Sequence, residues 1–246
     1  MSTGFTEPLV HSPRSNQAQY AYRSGKGIIP SAEWVVFHDE MVDSPASNAL
    51  PGYSTVIDVG ATLTAAATDG FSGGIVAIAS DGVSEGVVNY LPKTVQIGTK
   101  KWFMEVRCYT VAANDTDVQF GLSIANATTN PEDLWTTAAT DLIAFGVLDG
   151  DATPGLLVDK NNSGTTVSKP SGTAFDLSDA TWHTLAIEGQ GTSFVKAYVD
   201  GQLAVSHTTA ATIPDDAVLV PFFGARTGGV AGNLIYFDYL RFSIER

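Results

Sequence analysis

From Trp34 onward no window long enough for a helix sets apolar residues at i, i+3, i+4 and i+7, and the clearest stretches alternate with period two. Lys101-Trp102-Phe103-Met104-Glu105-Val106-Arg107-Cys108-Tyr109 puts Trp102, Met104, Val106 and Cys108 on one face. Lys101, Phe103, Glu105, Arg107 and Tyr109 take the other, which is the pattern of a half-buried strand. The same reading predicts strands over residues 118–125, 142–148, 156–159, 182–188, 194–199, 202–207, 217–225 and 234–244. Polar turns join them, as at Leu148-Asp149-Gly150-Asp151, Lys160-Asn161-Asn162-Ser163-Gly164 and Gly189-Gln190-Gly191-Thr192. Asp200-Gly201, between Ala197-Tyr198-Val199 and Gln202-Leu203-Ala204-Val205, predicts a two-residue hairpin, because both central positions of a type I′ turn need positive φ. Only Pro131-Glu132-Asp133-Leu134-Trp135 reads as a helical turn, with Asn130 as its cap. Many strands joined by short polar turns predict an all-β fold, an antiparallel β-sandwich of two packed sheets.

Residues 1–31 are polar and follow neither period, so an extended N-terminal arm is expected ahead of a single sandwich domain over residues 32–246. Charge sharpens that division. The chain of 246 residues carries 26 acidic and 13 basic residues, a net charge of −13, yet residues 1–31 hold Arg14, Arg23 and Lys26 against Glu7 alone. A net-negative surface does not neutralise phosphates, so no nucleic-acid partner is expected. With 44% hydrophobic and 16% charged residues the chain has enough apolar surface to fold. Its single cysteine, Cys108, excludes an internal disulfide, and burial alone must hold the fold. The first residues lack the basic start and apolar stretch of a secretory signal, and no apolar run is long enough to span a bilayer, so a soluble protein without a membrane partner is expected.

Ala180-Thr181-Trp182-His183-Thr184-Leu185-Ala186-Ile187-Glu188, followed by Phe194-Val195-Lys196-Ala197-Tyr198-Val199-Asp200-Gly201-Gln202, resembles the concanavalin A-like jelly-roll superfamily, including laminin-G-like domains. The shared pattern is Trp-His, a strand, a turn, then Tyr-Val-Asp-Gly. Leu234-Ile235-Tyr236-Phe237-Asp238-Tyr239-Leu240-Arg241-Phe242 resembles the closing strand of the same superfamily, and the likeness covers residues 50–246. It implies a jelly roll and leaves function open, since the superfamily hosts lectins, glycosidases and virion proteins. The wider layout, a short arm before a Gly/Ala/Thr-rich jelly roll of low charge, is similar to structural proteins of tailed bacteriophages.

Candidate chemistry is sparse. Glycosidases of the resembled superfamily carry Glu-x-Asp-x-x-Glu on one strand face, where retaining chemistry needs carboxyls about 5 Å apart. Here the residue two beyond Glu105 is Arg107, and Gly189-Gln190 follows Glu188, so no enzyme is expected. Gly70-Phe71-Ser72-Gly73-Gly74 matches Gly-x-Ser-x-Gly, but a strand rather than a helix follows it, which makes it a glycine-rich turn. His11, His38, His183 and His207 show no metal-ligand spacing, and His183 shares a strand face with Leu185 and Ile187 as a packed histidine. Asp115, Asp117, Asp149 and Asp151 offer hard oxygens on loops but match no calcium loop and read as solvated acidic turns. No metal and no cofactor is expected. The sequons at Asn114, Asn126 and Asn161 read as incidental without a secretory signal. Among the tryptophans, Trp102 and Trp182 start strands and read as core, whereas Trp135 sits in a loop beside Thr136 and Thr137 as a candidate sugar-stacking platform.

The phage resemblance leads to an expected role as a virion structural protein, a capsid decoration or cement protein that binds the outside of a tailed-phage shell and stabilises it. In that role the arm, with Tyr20, Tyr22, Arg23 and Lys26 as contact residues, folds onto the major capsid protein, and the sandwich adds buried area as a homotrimer. The implied location is the capsid surface of a virion, after synthesis in the host cytoplasm. The alternative is a glycan-binding, lectin-like module of a phage tail or fibre that uses Trp135.

Overall fold

The alternation read at residues 101–109 is realised as a strand of ten residues, Lys101–Thr110, whose inward side chains Trp102, Met104, Val106 and Cys108 are all buried. The computed structural model describes residues 9–10, 19–20, 34–39, 50–65, 75–124, 141–161 and 166–246. In chain order its strands are β1 (Leu9–Val10), β2 (Gln19–Tyr20), β3 (Trp34–Asp39), β4 (Ser54–Ile57), β5 (Ala61–Ala65), β6 (Val76–Ser80), β7 (Gly86–Tyr90), β8 (Lys101–Thr110) and β9 (Thr116–Ile124). They continue as β10 (Leu142–Leu148), β11 (Asp151–Asp159), β12 (Thr166–Ser168), β13 (Thr181–Gln190), β14 (Phe194–Val199), β15 (Gln202–His207), β16 (Leu219–Thr227) and β17 (Ile235–Glu245).

These strands form two large antiparallel sheets, as expected of a sandwich. The seven-stranded sheet runs β12-β11-β10-β9-β16-β7-β4, and the eight-stranded sheet runs β15-β14-β13-β8-β17-β6-β5 with β3 also on β17. β17 is the hub of the larger sheet. It pairs with β8 along one edge, while the other edge is divided between β6, at Ile235–Phe237, and β3, at Leu240–Glu245. Within residues 1–31, β1 pairs with β2 as a separate two-stranded ribbon.

The core lies between the sheets. Trp102, Met104, Leu185, Ile187, Phe237 and Phe242 from the larger sheet meet Phe120, Leu122, Phe145, Val158 and Phe223 from the smaller one. Burying each such side chain contributes about 1.5–3 kcal/mol. Ring pairs such as Phe223–Phe237, with centroids 4.9 Å apart, span the layer. The Asp200-Gly201 hairpin forms as predicted between β14 and β15, with φ of 49° and 76°.

Three features differ from the sequence reading. The predicted strand at 156–159 begins instead at Asp151 and runs through Pro154, because Leu148 pairs back onto Asp151 directly after the turn. The strands β3, β4, β5, β7 and β12 are additional to the predicted ones; β4, β5 and β12 are short and rich in Ser, Thr and Ala, which give little contrast between faces. The outward faces are also far less exposed than a half-buried pattern implies. On β8, Phe103 packs with Ala186 and Tyr198, and Glu105 is only 5% exposed. On the seven-stranded sheet, Val88, Tyr90, Leu142, Ala144, Leu157, Val220 and Phe222 form a second buried apolar layer facing away from the core. Leu142-Ile143-Ala144-Phe145-Gly146-Val147-Leu148 is therefore apolar throughout because both of its faces are covered.

Candidate functional site

Cross-strand register sets the outward residues of the eight-stranded sheet in rows. One row runs Trp182 (β13), Tyr109 (β8), Tyr236 (β17), Ala77 (β6) and Thr64 (β5). The next holds Thr184, Arg107 and Tyr239, and the one after it Tyr198, Ala186, Glu105 and Arg241. An irregularity in pairing between Phe237 and Tyr239 inserts Asp238 and re-aims it. Its carboxylate accepts a hydrogen bond from Arg107 Nη1 at 2.7 Å.

The first row is an aromatic platform. The Tyr109 ring lies 5.5 Å from those of both Trp182 and Tyr236, with interplanar angles of 56° and 70°. Tyr236 is buried and, with Ala77, forms the base of the patch, while Ile75, Tyr109, Trp182 and Leu234 are partly open. The Arg107 guanidinium sits 4.8 Å from the Trp182 ring centroid, and its side chain is 41% exposed. Tilted, edge-to-face rings with a guanidinium over one of them and a carboxylate beside it can hold a partly apolar ligand that carries hydroxyl groups.

Beside the platform the face becomes a buried polar network. Tyr239 Oη donates to Glu105 Oε1 at 2.9 Å, and Arg241 Nη1 donates to the same oxygen at 3.2 Å. Arg241 also lies 4.2 Å over the Tyr239 ring. Burial pushes the Glu105 carboxyl above its usual range despite the opposing pull of Arg241 and Tyr239. Burial, with the nearby Glu105 charge, pushes the Tyr239 phenol up as well. Further along, Tyr198 donates to Glu188, which lies 3.9 Å from Lys196. Glu105 and Glu188 are thus tied to neighbours within the sheet.

Trp182 corrects the sequence reading, which placed it in the core with Trp102. Trp102 is 1% exposed inside, whereas Trp182 points outward. The signal was present in the alternation itself, because His183, Leu185 and Ile187 share the inward face and Trp182 must then take the other. His183 is a packed histidine as expected, with Nδ1 2.8 Å from Asp200 Oδ2 and Nε2 accepting from the Ser178 N–H at 3.0 Å.

Of the loop acids expected to be solvated turns, Asp117 is instead buried and engaged with the protein. It pairs with Arg226 Nε at 2.6 Å and accepts from the Asp149 N–H. Burial raises its pKa more than Arg226 lowers it. Asp149 Oδ1 accepts from the Gly229 N–H at 3.3 Å, and Asp151 pairs with Lys169. Among the described residues no group of three or more His, Cys, Asp or Glu side chains could hold a metal ion. Tyr20 lies in β2, opposite Leu9. Tyr22, Arg23, Lys26 and Trp135 lie outside the described residues, as do His11, the Gly70–Gly74 turn and the predicted helical turn at 131–135.

No protein-family model matches the chain, and no curated protein matches it. Solved structures do. A seed lectin of Lotus tetragonolobus is similar over 86% of this chain and 99% of its own, with a TM-score of 0.58 and 13% identity. Lectin I-B4 of Griffonia simplicifolia, in its metal-free form, is similar over 85% of this chain and 99% of its own, at 0.58 and 14%. An endo-β-galactosidase of Clostridium perfringens that releases GlcNAcα1-4Gal is similar over 89% of this chain and 65% of its own, at 0.56 and 12%. At such identities the likeness establishes the fold, a concanavalin A-like jelly-roll sandwich. None of these three is a viral shell protein, so the decoration role expected from the sequence finds no support among them.

Proposed function

We propose that the chain is a carbohydrate-binding, lectin-like module that seats a sugar ring against Trp182 and Tyr109. The observation that carries this reading is the outward, partly open aromatic row with Arg107 over the Trp182 ring and Asp238 paired to Arg107. A pyranose presents an apolar C–H face that stacks on aromatic rings, and its equatorial hydroxyls need donors and acceptors at the rim. Arg107 supplies the donors and Asp238 the acceptor. The similarity in fold to lectins supports the same reading. Binding without turnover is favoured because Glu105 and Glu188 are both held by tyrosine hydroxyls and cations of the sheet.

A glycan array probed with the full chain tests the proposal, followed by titration of any hit against Trp182→Ala and Arg107→Gln. The expected result is loss of at least tenfold in affinity in both variants with unchanged melting of Arg107→Gln. An array without hits, or a hit that survives in both variants, overturns it.

A second reading, attachment to a viral shell, draws on the net-basic segment 1–31. Deleting residues 1–31 and measuring co-sedimentation with purified shells tests it, and undiminished binding removes the arm from that mechanism.

A further inference from the structure

At the far end of β8 from the aromatic platform lies a cleft of about 510 Å³. Lys100, at its edge, and Tyr109, on the platform, are nine residues apart, which is about 30 Å along a strand. Phe37 of β3, Phe242 and Ile244 of β17, and Leu91 and Val95 of the β7–β8 connection line its floor. Phe242, Ile244 and Leu91 are buried, so this floor is a sideways extension of the core. Val35 is 46% exposed, which leaves an apolar side chain standing in solvent at the mouth.

The rim has the opposite character. Lys93, Lys100 and Arg246 surround the mouth. Glu245, the acidic residue of the lining, is turned to Lys101, accepting from its N–H at 2.9 Å with its other oxygen 3.9 Å from Nζ. Among the described residues no ion pair engages Lys93, Lys100 or Arg246. In a chain of net charge −13, Lys93 and Lys100 therefore stand beside one apolar cleft without an ion pair among the described residues.

We infer that this cleft binds an anionic amphiphile, an aliphatic chain carrying a carboxylate head. The chain covers Val35, Phe37 and Val95, and the head lies between Lys93 and Lys100. A volume of this size is within the range of small-molecule sites. Opposite charges at the mouth select the head group, and the apolar floor supplies most of the affinity. The inference is independent of the sugar-binding reading, since the two sites share no residue.

Calorimetry of the full chain with dodecanoate, below its micellar concentration, tests it. Dodecyltrimethylammonium tests the sign of the head group and butyrate tests the need for the tail. Dodecanoate is expected to bind at least tenfold more tightly than either. The double variant Lys93→Gln/Lys100→Gln should weaken it about tenfold at low salt, and less at high salt, where screening already weakens the charges. Val35→Glu, at a half-open position that the core does not depend on, should abolish it while thermal melting stays as in the parent. Absence of dodecanoate binding, equal binding of the cationic amphiphile, or full binding by a correctly folded Val35→Glu overturns the inference.

Discussion

Asp200 shapes a turn and fixes a histidine with one side chain: its Oδ2 lies 2.8 Å from His183 Nδ1, while its Oδ1 accepts from the Thr184 N–H at 2.8 Å. Because His183 Nε2 already accepts from the Ser178 N–H, the proton sits on Nδ1 and points at Asp200. The hairpin of β14 and β15 is thereby clamped to the start of β13, the strand that carries Trp182.

Asp200→Asn isolates that clamp, since Asn-Gly suits a type I′ turn as well as Asp-Gly does. Burial raises the Asp200 pKa, but the hydrogen bonds from His183 and Thr184 outweigh it and hold the carboxyl below its ordinary 3.8. A depressed carboxylate stabilises the fold above that ordinary value, and the contribution is lost as pH falls through the lower folded value. Asp200→Asn should therefore cost about 1 kcal/mol in urea denaturation at pH 7, allowing for the half-exposed carboxylate. The gap should close below about pH 3.8.

His207 gives stability a second pH dependence. Its side chain faces inward from β15, with Nε2 2.7 Å from Thr212 Oγ1. Burial lowers its pKa below 6.5, against a smaller upward pull from the Thr209 backbone. Its stabilising contribution is complete above pH 6.5 and disappears as pH falls through the folded value. Melting temperatures measured from pH 7.5 to 5 should decline more gently in His207→Gln than in the parent.

Cys108 is fully buried between Phe237 and His183, its pairing partners on β17 and β13, and burial together with the Asp200 charge pushes its thiol up to about 12. An aromatic disulfide reagent at pH 8 should leave the native protein unmodified for hours and label one thiol per chain promptly in 6 M guanidinium. Fast labelling of the native protein would contradict this burial.

Gly189 lies flat against the Trp102 indole, and a Cβ there would come within 2.6 Å of the ring. Gly189→Ala should cost about 1–3 kcal/mol as an overpacked core site. Gly229→Ala, which meets nothing within 4 Å, should stay within about 0.5 kcal/mol of the parent. Equal effects in the two variants would show that backbone freedom rather than packing governs both positions.

The sandwich and its sharpest hairpin were legible in the sequence because each rests on neighbours in the chain: alternation at 101–109, positive φ at Asp200-Gly201. The aromatic platform was not, because Trp182, Tyr109 and Tyr236 meet only through the register of β13, β8 and β17. Trp182 reads as core from its place at the start of a strand, while the parity of that strand places it outside. The seven-stranded sheet shows the limit of alternation as a signal. Its Leu142–Leu148 strand has no polar face to alternate with, and only its length and its flanking turns mark it as a strand.

The division of one edge of β17 between β3 and β6 bears on how the protein acquires its structure. β8, β6 and β3 all wait for a strand synthesised long after them, and until residues 235–245 arrive each exposes unpaired backbone to whatever is nearby. Sheet closure is therefore a late, long-range event, so refolding should be slow and increasingly lost to aggregation as chain concentration rises.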